Sequence, residues 1–87
     1  MKYTENPKID YDERFDIMNC FIGDTSNTYD DEDIDNIVVM KDFDTDEIKG
    51  YTIMNFKRMS ESGSELLNTL ISVIGQNIYE AMKEKCN

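Results

Sequence analysis

The last third of the chain carries the pattern that most narrows its fold. Leu67, Leu70, Ile71, Ile74, Ile78, Ala81 and Met82 recur at spacings of three and four, and Leu66 and Val73 widen the same stripe. That is the periodicity of a helix with one apolar face. Ser62 followed by Glu65 fits a capping box, and Lys83 and Lys85 stand where cations favour the end of the helix dipole. The spacing therefore predicts one long helix over residues 62–85. At 1.5 Å per residue it would span roughly 30 Å.

The preceding stretch reads as strands. Lys8 to Tyr11 alternates polar and apolar residues. Phe15 to Ile22 places Met18, Cys20 and Ile22 on one parity, the expected core face. Asn36 to Asp42 is rich in β-branched residues, and Ile48 to Phe56 follows after a short acidic connection. Gly50 inside the last of these signals a bulge or a close backbone approach. The expected fold class is α+β: a four-stranded, mostly antiparallel sheet followed by one long C-terminal helix. All 87 residues form one small domain, with a β-rich part over residues 8–58.

A small sheet cannot cover so broad a helical stripe. Unless the helix kinks near Gly75, part of its face must meet another chain. Leu66, Leu70, Val73, Ile74, Ile78 and Met82 are the expected self-association residues. A homodimer or a partner groove is expected there.

Charge narrows the function. Nine Lys plus Arg against nineteen Asp plus Glu leave a formal net charge of −10. Such a surface repels nucleic acid and anionic membrane and attracts basic proteins. The clustered apolar runs Ile37-Val38-Val39-Met40 and Leu66 to Ile71 separate this chain from a disordered acidic one. The carboxylates concentrate in two places. Asp24, Asp30, Asp31, Glu32, Asp33 and Asp35 fall in a long polar segment read as a solvent-facing loop or edge, which also holds Tyr29. Asp42, Asp44, Asp46 and Glu47 fall at a hairpin tip. Together these residues are the expected partner-binding surface, with Tyr29 as its exposed anchor. Carboxylates on a folded surface pair with Arg and Lys as phosphates do.

Other chemistries find little support. Asp42, Asp44 and Asp46 match the first, third and fifth positions of a calcium loop, but Glu47 stands where Gly is needed and Ile53 where a bidentate Glu is needed. Two distant cysteines without histidine make no zinc site. No imidazole is available as acid or base, and no Gly-rich phosphate loop occurs. No metal, cofactor or catalytic residue is expected, and the protein is expected not to be an enzyme. No apolar run reaches the length of a membrane span, and the first residues lack the apolar stretch of a signal peptide, so a cytoplasmic location is expected.

Two blocks carry a family resemblance. Tyr11-Asp12-Glu13-Arg14-Phe15-Asp16-Ile17-Met18-Asn19-Cys20-Phe21 is similar to the opening of the small prokaryotic domain of unknown function 2283 family. Ile37-Val38-Val39-Met40 and Asp44-Thr45-Asp46-Glu47-Ile48-Lys49-Gly50-Tyr51-Thr52-Ile53 resemble its closing hairpin. The resemblance covers roughly residues 8–58, departs from the family at Asn19, and does not extend to the C-terminal helix. It implies a compact β-rich module with a helix and an antitoxin-type role without catalytic residues. Charge and resemblance converge on one expectation: an acidic protein that binds and inhibits a basic nucleic-acid-handling partner. It would act as an antitoxin or a phage-encoded, anti-CRISPR-type defence inhibitor, by nucleic-acid mimicry and without touching nucleic acid itself. The alternative is a structural or oligomerisation module whose acidity serves only solubility.

Overall fold

A computed structural model describes residues 8–63 and 65–86. Five strands come first: β1 (Lys8–Asp12), β2 (Ile17–Phe21), β3 (Thr28–Ile34), β4 (Ile37–Asp42) and β5 (Ile48–Met54). Three helices follow: α1 (Phe56–Ser62), α2 (Glu65–Ile74) and α3 (Gln76–Cys86). The strands form one antiparallel sheet in the order β1-β2-β5-β4-β3. The fold is thus α+β, but neither the four-stranded sheet nor the single long helix is what forms.

The additional strand is β3, which lies inside the polar segment expected to be a solvent-facing loop or edge. It sits at the sheet edge and pairs only with β4. Edge position explains its composition. The backbone gains ladder hydrogen bonds on one side, and charged side chains on the edge discourage pairing with another chain. Hydrophobic alternation is therefore not required of it. The β3–β4 connection is two residues long, Asp35-Asn36, and Asn36 supplies the positive φ of 69° that so tight a turn needs.

The expected helix starts late and is broken once. Its first expected residue, Ser62, ends α1, whose C-terminus is capped by Gly63 at φ 62°, and α2 begins at Glu65. Ser62 does not form the capping box. It closes α1, its hydroxyl donating to the Met59 carbonyl at 3.0 Å. The break is at Gly75, which takes φ 93°. Its N–H still bonds Ile71 O at 2.8 Å, and its carbonyl accepts from Tyr79 N at 3.1 Å, so α2 stops and α3 restarts with almost no linker. The last predicted strand also ends early. Asn55 turns to φ 58°, and the chain enters α1 at Phe56.

All three helices cover one face of the sheet. The core beneath them contains Met18, Cys20, Ile37, Tyr51 and Ile53 from the strands, and Phe56, Met59, Leu70, Ile74, Tyr79 and Met82 from the helices. Met18 and Cys20 are fully buried, as the parity of β2 requires, whereas Ile22 lies past the strand and is 38% exposed. Cross-strand partners share a face. Tyr11, Met18 and Ile53 therefore form one row on the helix side, and Ile9, Cys20, Tyr51 and Val39 form the next.

Gly50 does both things its position signals. The register slips there, with Met40 opposite Gly50 and Lys41 opposite Ile48. A Cβ on Gly50 would lie 2.7 Å from the Cys20 carbonyl oxygen and 2.8 Å from Met40 Cε. Among the described residues no helix is long and apolar enough to cross a membrane.

Candidate acidic interface

The sheet brings together acidic residues that the sequence keeps apart. The β2–β3 loop carries Asp24, and the β4–β5 turn carries Asp44, Asp46 and Glu47, with Asp42 ending β4. Thr28 opposite Asp42 and Tyr29 opposite Lys41 place these two connections at the same end of the sheet. Direct bonds tie them together. Tyr29 donates its hydroxyl to Asp46 Oδ1 at 2.6 Å, Asn27 Nδ2 donates to Asp44 Oδ2 at 3.2 Å, and Phe43 N donates to Asn27 O at 3.0 Å.

The tip is organised by its own carboxylates. Asp42 Oδ1 accepts from the backbone N–H of Asp44 at 2.8 Å and of Thr45 at 3.1 Å, closing a turn in which Asp46 takes φ 64°. These two N–H groups hold the Asp42 carboxyl below its ordinary range. Asp24 is lowered in the same way by the Ser26 N–H it accepts at 2.9 Å. The hydrogen bond to Asp46 raises the Tyr29 hydroxyl above its ordinary value. Asp42, Asp44 and Asp46 each accept from a different protein donor, rather than converging as calcium ligands do. No group of three Cys, Asp or Glu side chains among the described residues is placed to hold a metal ion.

A residue outside the expected set completes this end. Phe43 is 63% exposed and lies against Tyr29, ring centroids 5.4 Å apart and planes tilted by 56°. The tip thus holds an aromatic pair with the Asp46 carboxylate bonded to one ring's hydroxyl and Asp42 and Asp44 flanking the other in sequence. An apolar side chain between two aspartates in a turn is the sequence signal for Phe43. It is weak, because nothing in the sequence says that Tyr29 stands beside it.

The other acidic residues of the expected surface lie elsewhere. Asp30, Asp31, Glu32 and Asp33 occupy β3, and Asp35 is in the turn beyond it. At about 3.3 Å per residue, Asp33 lies ~13 Å along the strand from Tyr29. Asp31 forms an ion pair with Lys41 at 2.8 Å. That contact lowers the Asp31 carboxyl and raises the Lys41 ammonium. Glu47 has a cation nearby, Lys49 Nζ at 3.3 Å. The expected single anionic surface therefore divides into a tip and an edge strand.

The helical self-association set is placed differently from the basis on which it was expected. Leu70, Ile74 and Met82 are buried in the protein's own core, and Leu66, Val73 and Ile78 pack half-buried against it. Breaking the helix at Gly75 lets residues of both halves pack into the core, the alternative to a second chain that the sequence left open.

No family model matches this chain, and no curated protein or solved structure matches it. The likeness to the domain of unknown function 2283 family rests on its two blocks of residues alone.

Proposed function

We propose that the protein is a non-enzymatic inhibitor that uses its acidic tip to occupy the phosphate-binding groove of a basic, nucleic-acid-handling protein. One observation carries the reading. The fold gathers Asp42, Asp44 and Asp46 beside the Tyr29–Phe43 pair, held by the Tyr29–Asp46 and Asn27–Asp44 hydrogen bonds, with Asp24 and Glu47 at the same end of the sheet. Carboxylates fixed in this way offer Arg and Lys the acceptors that phosphates offer, without the entropy cost of ordering a loose acidic tail. The exposed Phe43, backed by half-buried Tyr29, adds the apolar anchor that interface centres favour. Such a partner belongs to the toxin or defence-nuclease class that the charge and the family resemblance suggest.

The solubility reading keeps one specific support. The carboxylates of β3 lie on an edge strand, where charge serves to prevent sheet-to-sheet pairing. Glu32 and Asp33 are assigned that role, and the inhibitory surface is confined to the tip.

The test is retention and competition. Immobilised protein is exposed to extract from the native host, alongside an Asp44→Asn, Asp46→Asn, Glu47→Gln variant. The expected result is a basic nucleic-acid-binding protein held by the wild type, weakened at least tenfold by the variant, and eluted steeply by salt or oligonucleotide. Equal retention by the variant, or no displacement by oligonucleotide, overturns the reading.

A further inference from the structure

The helices cover one face of the sheet; among the described residues no element lies over the opposite face, yet it is not polar. The register places Phe21, Gly50 and Met40 in one row and Asn19, Thr52 and Val38 in the next, with Ile17 opposite Met54 beyond them. These residues have the parity opposite to that of the core. Ile17, Phe21, Val38, Met40 and Met54 all lie outside the helix-side cluster. Val38 is only 9% exposed even so. The sequence agrees: β4 opens on Ile37-Val38-Val39-Met40, an uninterrupted apolar run of the kind found in strands covered on both faces.

The strip is narrow and bordered. It runs along β2, β5 and β4, three adjacent strands, which at ~4.8 Å spacing makes a band about 10–15 Å wide. The outer strands bring mostly carboxylates to its margins: Asp10 and Asp12 from β1, with one cation, Lys8, opposite Phe21, and Asp30 from β3, which stands opposite Met40. Glu32 lies in the β3 bulge facing Val38. Asp10, Asp12, Asp30 and Glu32 are all exposed. In the middle, Thr52 Oγ1 donates to Asn19 Oδ1 at 2.8 Å, so the two polar side chains of the band pair with each other.

From this juxtaposition we propose that the uncovered face of the sheet docks a basic amphipathic helix of a partner protein. The band matches the ~10–12 Å diameter of a helix, and its five-residue length takes about three helical turns. The helix would lay an apolar stripe on Phe21, Val38, Met40 and Met54. Its flanking Lys and Arg would lay their aliphatic stems over the band and reach the carboxylates on either side. A second copy of this chain fits poorly: its own acidic margins would stand against these, and each chain carries a net charge of −10. This site is independent of the acidic tip.

The test titrates isotope-labelled protein with an 18-residue helical Leu/Lys peptide bearing one leucine stripe, followed by amide chemical shifts. Saturable shifts are expected at Phe21, Val38, Thr52 and Met54. Met40→Lys should weaken binding at least tenfold, and Asp44→Asn with Asp46→Asn should change it less than twofold. If Met40→Lys does not fold by circular dichroism, Met54→Lys carries the same expectation. A Leu/Glu peptide of the same stripe should not bind. Absence of shifts, shifts confined to the tip or helices, or equal binding of the Leu/Glu peptide overturns the proposal. So does a dimer in light scattering that Met40→Lys makes monomeric, since a second copy would then own the face.

Discussion

Asp16, in the β1–β2 turn, accepts the backbone N–H of Lys57 on its carboxylate at 2.8 Å, from 41 residues away in sequence. The same carboxylate accepts Arg58 N at 3.2 Å, and the Asp16 carbonyl accepts Phe56 N at 3.2 Å. Helix α1 has no cap of its own, because Asn55 makes no side-chain capping bond. Asp16 thus satisfies three of the N–H groups that a helix start leaves unpaired. Tyr11 steadies it, donating its hydroxyl to Asp16 Oδ1 at 2.7 Å.

Replacing Asp16 should therefore cost more than a turn substitution usually does. Asp16→Ala removes the cap and places a Cβ-bearing residue without a polar side chain at φ 56°. A loss of about 2–3 kcal/mol is expected from the two effects together. Asp16→Asn, which tolerates that φ and keeps one acceptor, should lose about 1 kcal/mol. Urea unfolding measures both, and equal stability of all three proteins would show the cap to be idle.

The same carboxylate predicts a pH dependence. Burial opposes its charged form, but the Lys57 N–H, the Tyr11 hydroxyl and the Arg58 N–H and charge outweigh burial and lower its pKa. A lowered folded pKa contributes stability that is present above the unfolded value of about 3.9 and lost as pH falls through the folded one. Stability should be level near neutrality and decline below about pH 4. Asp16→Asn should decline less steeply there. A wild type and variant whose acid limbs are parallel would assign the decline to other carboxylates.

Gly75 separates two accounts of the C-terminal region. In a continuous helix Gly75→Ala would stabilise by up to about 1 kcal/mol. At φ 93° it should instead destabilise by roughly 1–2 kcal/mol. No atom lies within 4 Å of the added Cβ, so crowding does not confuse the sign. A stabilised Gly75→Ala protein would restore the single long helix.

The two free cysteines should behave differently toward a thiol reagent. Cys20 is buried, and burial pushes its thiol up to about 11. At pH 8 it should react only through unfolding, whereas the partly exposed Cys86 reacts directly. Two fast thiols in native protein would mean that the sheet core opens readily.

Local patterns were legible wherever one stretch of chain decided the matter. The alternation in β2 placed Met18 and Cys20 inside, Gly50 marked a close approach, and the spacing from Leu66 to Met82 marked helix. That β3 is a strand was not legible, because an edge strand needs a paired backbone rather than an apolar face, and its acidic side chains fit a loop and an edge equally. The candidate site was half legible: its carboxylates were evident, but their division into a tip and an edge, and the contact between Phe43 and Tyr29, depend on which strands neighbour one another.

By itself, then, the sequence determined the apolar periodicities, the charge and the glycine positions, because these act over a few residues. Tertiary structure alone decided that Gly75 ends a helix, that Asp16 caps a helix it does not belong to, and that the helices cover one face of β4 and not the other. The physical reason is common to all three. Each depends on which distant surface a residue meets, and that is set only when the sheet order and the helix layer form together.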